Sequence, residues 1–345
     1  MKAPVAINAR AAVRGEIGGV ERVARELVAR LPALAPERYR AIRPPRRLAH
    51  RAGHAWEQAA LPLASRGADL LFSPANTAPL AGRRNVVLVH DLAPLVGPDW
   101  YGRAYGAWHR AQLRAVARRA RLAIAPSETV RGELVELLGM PPERTAAVQL
   151  GVDPAFHAGI DATAVRGRLG LERPYVLAVG TASARKNLAL LDRIAPALAD
   201  AGLDTAIAGG ARAYIADDGR HLATHVARRL GYVPDADLPA LYAGAAAFAL
   251  PSLYEGFGLP CLEAMACGTP VVTTRRGALP ETCADAALYV DPADAPAFAA
   301  ACIAAATDPT EHDRLSAAGV ARAATFTWDR TAARVDAAIT AVRLR

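Results

Sequence analysis

Two carboxylates, Glu255 and Glu263, stand eight residues apart in AFALPSLYEGFGLPCLEAMACGTPVVTTRRGALPE, residues 247–281. Between them Gly256 and Gly258 interrupt the apolar pattern. Pro260 then suits the first turn of a helix, because it needs no N–H there and already holds a helical φ. A glycine-bearing loop feeding a helix N-terminus offers backbone N–H groups and the positive end of the helix dipole to an anion. Carboxylates are awkward beside such a place unless they grip something neutral and hydroxylated. A sugar hydroxyl and a ribose hydroxyl, with phosphates between them at the helix end, would meet that condition. The alternative is a βαβ unit in which Glu263 is solvated and Glu255 caps a turn, and this spacing alone does not choose between them.

Three further groups carry chemistry. Arg185-Lys186 lies in TASARKN, residues 181–187, and only two of the chain's 41 basic residues are lysines. A Lys beside an Arg in so Arg-rich a chain suggests a position that needs an ammonium point charge. The pair is expected to look outward toward an anion such as a diphosphate, and to offset charge building on a leaving phosphate. His90-Asp91 follows the apolar run Asn85–Val89, at the carboxyl end of a strand, where ligands sit in open α/β sheets. A satisfied core histidine is the other reading. Gly18-Gly19 precede an amphipathic helix, Val20–Leu31, after a first strand. That is a phosphate-loop cue, but the glycine spacing is not the dinucleotide fingerprint. A tight helix start would explain it equally.

These groups need strands to deliver them and helices to face them. The Ala245–Leu250 run, helix Pro260–Ala266 with Gly268 after it, and Val271–Thr274 form one strand–helix–strand unit, with Glu263 placed in the helix's first turn. Other expected strands are Pro4–Ile7, Asp69–Phe72, Leu122–Ala125, Thr145–Leu150, Pro174–Gly180, Asp204–Ala208, Leu230–Val233 and Ala287–Val290. Ser127 caps a helix over Glu128–Leu138, with Gly139 ending it. Further helices are expected over Trp56–Leu63, Tyr105–Arg121, Leu188–Leu198, Asp237–Ala243 and Ala295–Thr307. Strands alternating with helices predict parallel sheets.

Glu255, Gly256-Phe257-Gly258-Leu259-Pro260, Glu263-Ala264-Met265-Ala266, Gly268 and Pro270-Val271-Val272 closely resemble the signature of group 1 (family four) glycosyltransferases, retaining nucleotide-sugar enzymes. The likeness covers most of the chain, is strongest over 175–292 and is thin over 32–65. It implies the α/β GT-B fold, two Rossmann-like doubly wound domains facing across a cleft. The expected bounds are 1–165 for an acceptor-side domain, 166–325 for a donor-binding domain, and 326–345 for a helix crossing back to the first. The resemblance assigns Glu255 to the donor sugar, Glu263 to the ribose, and the N–H groups of Phe257, Gly258 and Leu259 to completing the site. Arg185 and Lys186 would stabilise the leaving diphosphate, whose oxygen takes the acceptor proton in a front-face departure and attack. His90 would hydrogen-bond the sugar, and Gly18-Gly19 would approach donor phosphates or acceptor. Gly209 and the backbone around Tyr232-Val233 would line the nucleotide pocket. Many relatives place Arg directly after the strand glycine; here Thr181 stands there, so Arg185 must supply that cation.

Composition narrows the rest. At 345 residues and 52% hydrophobic content, the chain can build two ordinary domains. No run of about twenty apolar residues suggests a membrane span, and the N-terminus reads as a strand rather than a signal peptide, so cytoplasmic residence is expected. Cys261, Cys267, Cys283 and Cys302 lack metal-ligand spacing and read as buried thiols. Residues 1–150 hold 23 basic and 12 acidic residues, a net +11, within a chain total of +8. That basic half suits an anionic partner, such as a lipid-linked acceptor at the inner membrane face, or it is a solvated Arg-rich surface. Sparse aromatic residues argue against nucleic acid. Without an Asp-x-Asp motif, no metal or other cofactor is expected. The first-choice donor is GDP-mannose, with a glycan or lipid-linked acceptor in surface polysaccharide synthesis. UDP- and dTDP-sugar donors and a non-transferring epimerase are the alternatives.

Overall fold

The computed structural model describes residues 4–14, 18–48, 52–210 and 226–344, so Lys2 and Gly15 lie outside it. The chain divides into two compact units. The first comprises residues up to Val96, Gly106–Gly151 and the segment from Thr327; the second comprises Gly97–Tyr105 and Val152–Phe326. The boundary expected between 165 and 166 falls inside a helix, Thr163–Leu169, of the second unit, whose main segment starts at Val152.

Each unit is built on a six-stranded parallel sheet. In the first, β1 (Val5–Asn8), β2 (Tyr39–Ile42), β3 (Leu70–Ser73), β4 (Asn85–Leu88), β5 (Leu122–Ala125) and β6 (Thr145–Ala147) lie in the order β2-β1-β3-β4-β5-β6. In the second, β7 (Tyr175–Val179), β8 (Asp204–Ala208), β9 (Ala227–Gly231), β10 (Ala247–Leu250), β11 (Val271–Thr273) and β12 (Ala287–Tyr289) lie in the order β12-β11-β10-β7-β8-β9. Every pairing is parallel.

The inner strands of both sheets are buried on two faces, which is why they read as continuous apolar runs, whereas the edge strand β9 is largely exposed and carries Arg228 and Arg229. In the second unit Val176, Ala178, Ala247 and Ala249 pack with Leu191, Ile194 and Phe298 from helices Ala189–Asp200 and Ala295–Thr307. Phe248 points the other way, its ring 5.4 Å from that of Tyr242 in helix Leu238–Ala243. In the first unit Val87, Ala123 and Ala125 pack with Leu113, Val116, Val130 and Leu134. At this level of architecture the doubly wound expectation is met.

The strand order reverses between β1 and β3 in the first unit, and between β10 and β7 in the second. Diverging helix connections open a crevice at the carboxyl ends of such strand pairs. Those four strand ends deliver Asn8, Ser73, Gly180 and Pro251. All four cysteines are buried thiols, and among the described residues no helix is long and apolar enough to cross a membrane.

Candidate active site

In the second unit, β7 runs into Gly180 and then a single 3-10 turn, Ala184–Lys186, which Asn187 ends with a left-handed φ of 50°. Asn187 Nδ2 donates to the carbonyls of Pro251 (3.3 Å) and Pro292 (3.4 Å), pinning the turn to the loop after β10. The Leu253 amide closes the same contact on the Arg185 carbonyl at 2.8 Å.

This docking brings residues almost seventy apart in sequence into one ion cluster. Lys186 Nζ donates to Glu255 Oε1 at 2.7 Å, and Arg185 Nη1 reaches Glu255 Oε2 at 3.1 Å and the Tyr254 carbonyl at 2.8 Å. Ser252 Oγ adds a 2.6 Å bond to Oε1. Burial by itself would raise the Glu255 pKa. The Lys186 and Arg185 charges and the two donated hydrogen bonds overcome it and hold the carboxyl at about 2. Glu255 is therefore ionised throughout the neutral range.

The cations do not look outward, as the sequence had suggested. Lys186 is only 7% exposed, and an ammonium buried that far is stable only when paired. The cluster offers an anion one net positive charge rather than two. Because Glu255 fixes both cations in place, that charge is preorganised. Trp100 stacks on Tyr254 beside it, with ring centroids 6.3 Å apart.

Helix Leu259–Ala266 starts at Gly258, whose φ of 102° no side-chain-bearing residue adopts without strain. Its Cβ would also stand 2.9 Å from Leu279 Cδ2. Phe257 and Leu259 flank it and are buried, which leaves their amides as the polar groups at the helix mouth. Glu263 sits in the second turn of this helix rather than the first, since the helix begins at Leu259. It is buried, and its Oε2 accepts the Tyr242 hydroxyl at 2.9 Å.

Gly209 ends β8 with a φ of 137°, and a Cβ there would lie 1.9 Å from the Gly180 carbonyl oxygen. Its absence lets the chain after β8 press against the chain after β7. The Gly209 amide bonds the Gly231 carbonyl at 2.8 Å. The strand expected over Leu230–Val233 is observed at Ala227–Gly231, so Tyr232 and Val233 lie in the loop beyond it, Tyr232 exposed and Val233 buried.

The first unit carries its own polar cluster at the β1/β3 switch point. His90 is buried; its amide donates to Asn76 Oδ1 at 2.6 Å, and its Nε2 lies 2.9 Å from the Pro74 carbonyl. A carbonyl only accepts, so the ring hydrogen is assigned to Nε2 and the lone pair to Nδ1. Burial keeps this imidazole neutral by lowering its pKa. A neutral ring can accept from a hydroxyl through Nδ1.

Beside it is a group the sequence reading missed. Glu57, fully buried, accepts from Arg10 Nε at 2.9 Å and Asn8 Nδ2 at 2.8 Å, while Arg10 Nη2 donates to Thr77 Oγ1 at 2.9 Å. His54, 6.2 Å from Trp108 between ring centroids, has its pKa lowered to about 4, by burial first and by the Arg10 charge second. The carboxyl-end rule that singled out His90 applied equally to Asn8 and Arg10 after β1.

The Gly18-Gly19 pair opens helix Gly19–Leu34, but the Gly18 amide already donates to Glu21 Oε2 at 3.1 Å. A carboxylate, also paired with Arg14 at 3.2 Å, stands where the glycine loop had suggested a phosphate.

Comparison with known proteins decides the family. The profile described as "Glycosyl transferases group 1" matches residues 173–308, and that of "Glycosyltransferase Family 4" matches 17–156. The chain is 32% identical over 259 residues to the O-antigen chain mannosyltransferase B of Escherichia coli, an alignment covering 71% of this chain and 67% of that one. This chain belongs to the group 1 glycosyltransferases. It is thereby a hexosyltransferase by family.

Its GT-B fold is shared with sucrose-phosphate synthase from Thermosynechococcus elongatus (TM-score 0.77, 21% identity, 97% and 98% of the two chains). It is shared too with Anabaena HepE, solved in complex with UDP-glucose (TM-score 0.74, 18% identity, 98% and 100%). The chain spans from 50% to 67% of the length of the curated relatives it matches.

Proposed function

We propose that this glycosyltransferase moves a hexose, mannose from GDP-mannose in the first instance, to a glycan or lipid-linked acceptor with retention of anomeric configuration. The observation that carries the reading is the Arg185–Lys186–Glu255 cluster at the second unit's switch point. A donor diphosphate laid along the Phe257–Leu259 amides meets a fixed positive charge where negative charge develops as the sugar departs. Glu255, ionised and buried, orients the sugar; Glu263, sharing the Tyr242 hydroxyl, accepts from the ribose. His90 accepts from a sugar hydroxyl through Nδ1. The diphosphate oxygen that leaves takes the acceptor proton.

No group in this scheme needs a metal or other cofactor, since the guanidinium and ammonium carry the electrostatic load. The basic first half of the chain draws a lipid-linked, anionic acceptor and places the enzyme peripherally at the inner membrane face, in the cytoplasm. Mannose is favoured by the O-antigen mannosyltransferase relative. A UDP-sugar donor is the second reading, favoured by the UDP-glucose complex of HepE.

Calorimetric titration of the full chain with GDP, UDP, dTDP and their common sugars, with EDTA in cell and syringe, tests this. Tight, selective binding of GDP and GDP-mannose is the expected result. UDP alone binding would move the donor to the second reading. Binding of none of them would overturn the proposal.

A further inference from the structure

At the amino ends of β4, β5 and β6, the end of the first sheet opposite His90, five guanidinium groups line one open cavity of about 460 Å³. They belong to Arg83, Arg118, Arg119, Arg121 and Arg144, and the one acidic residue among them is Glu143. Ala120 and Val342 supply apolar wall.

The arginines divide by what holds them. Arg119 donates to the Leu80 carbonyl at 2.6 Å, Arg121 to the Val342 carbonyl at 3.4 Å, and Arg144 to the carbonyls of Ala117 and Ala120, each at 3.1 Å. All these acceptors are neutral. These bonds hold the side chains in position without neutralising them, and Glu143 leaves the five cations a net charge of +4, so the ordering cost of gripping an anion is already met for three of them. Arg83 and Arg118, by contrast, are exposed and make no hydrogen bond or ion pair among the described residues. They are free to close on a ligand. A convex Arg-rich surface would leave each cation to water; a concave one sums their fields at one point.

We propose that this cavity is a binding site for a phosphorylated ligand, separate from the transfer site. Guanidinium forks match phosphate oxygens two at a time, and the volume is that of a small-molecule site. The cavity lining belongs wholly to the first unit, whereas the groups assigned to the leaving diphosphate, Arg185 and Lys186, belong to the second, so the ligand is not that diphosphate. It is a free phosphate ester or diphosphate, or the phosphate of a lipid headgroup.

Pyrophosphate is titrated into the full chain without nucleotide, and Lys186→Ala identifies the component bound at the transfer site. Wild type should bind it, and Arg83→Ala/Arg118→Ala should weaken binding at least about tenfold. Arg103→Ala/Arg114→Ala, which removes the same charge from exposed positions of helix Arg103–Arg119 outside the cavity, should leave it unchanged. Flotation with phosphatidylglycerol vesicles, against phosphatidylcholine, separates the sources. Capture that the cavity variant loses assigns the site to a lipid phosphate. Pyrophosphate binding without capture assigns it to a soluble ester. Equal losses in both variants, or no binding of pyrophosphate or vesicles by wild type, would overturn the site. Failure of the donor reading would show instead as missing nucleotide binding and would leave the contrast between the variants intact.

Discussion

Lys186 Nζ and Glu255 Oε1 are 2.7 Å apart, and the two side chains are each 8% exposed. One comes from the loop after β7, the other from the loop after β10, and these strands are neighbours at the sheet's reversal. The ion pair is therefore a product of topology. Within the loop after β10 the Ser252 hydroxyl steadies the carboxylate, but both cations come from the other loop. Pairing also makes each residue a condition for the other: the carboxylate is ionised because of the cations, and the ammonium tolerates burial because of the carboxylate.

Glu255→Gln keeps the shape and removes the charge. Turnover should fall by about 100-fold or more, the scale seen when a positioned transition-state group is lost, while far-ultraviolet circular dichroism stays that of wild type. A steady-state assay with donor and acceptor reads it. Near-normal turnover would take Glu255 out of the mechanism.

The same carboxylate should leave a mark on stability. Its pKa falls from 4.5 to about 2 on folding, so its contribution is fully present above about pH 4.5 and is lost as pH falls through 2. By linkage the shift is on the order of 3 kcal/mol. Urea midpoints measured between pH 6 and pH 3 should drop for wild type with a component that Glu255→Gln lacks. Parallel curves for the two proteins would show that the pair is not formed in solution.

Lys186→Ala should weaken nucleoside diphosphate binding about tenfold, and Lys186→Arg should restore only part of it. The pocket was filled by a compact ammonium at 7% exposure, and the wider guanidinium does not fit the same slot. Calorimetry decides; unchanged affinity in the alanine variant would sink the phosphate assignment.

The sequence disclosed local features well. Leu122–Ala125, the Ser127-capped helix Glu128–Leu138 and helix Ala295–Thr307 fall where the pattern put them, because caps and apolar runs are written within a few residues. Long-range pairings were less legible. That Arg185 and Lys186 turn inward depends on a carboxylate about 70 positions away, and the Arg10–Glu57 pair spans 47 positions. Glu263 falls in the second turn because the helix opens one residue early, at Leu259 before the proline. Trp100 lies within the first half of the chain yet packs with the second unit; nothing in Gly97–Tyr105 signals that.

Gly209→Ala should be costly out of proportion to one methyl. The φ of 137° alone carries about 1–3 kcal/mol for a residue with a side chain, and the Cβ would stand 1.9 Å from the Gly180 oxygen. Relief requires the chain after β7 to move, and Lys186 with it. A lowered Tm together with weakened nucleotide binding is expected. Wild-type affinity at a lowered Tm would show that the two loops shift independently.

In the first unit, Arg10→Met strands a fully buried carboxylate, and the expected loss is about 3–5 kcal/mol in denaturant unfolding. Glu57→Gln strands the guanidinium instead, although Thr77 still accepts from Arg10 Nη2, so its loss should be smaller. The Arg10→Met/Glu57→Gln double variant should be more stable than the sum of the single losses predicts, because neither charge then remains to be paired. Strict additivity would mean that the two side chains are solvated separately. The pair would then lose its part in shaping the β1/β3 end of the sheet, where His90 is held.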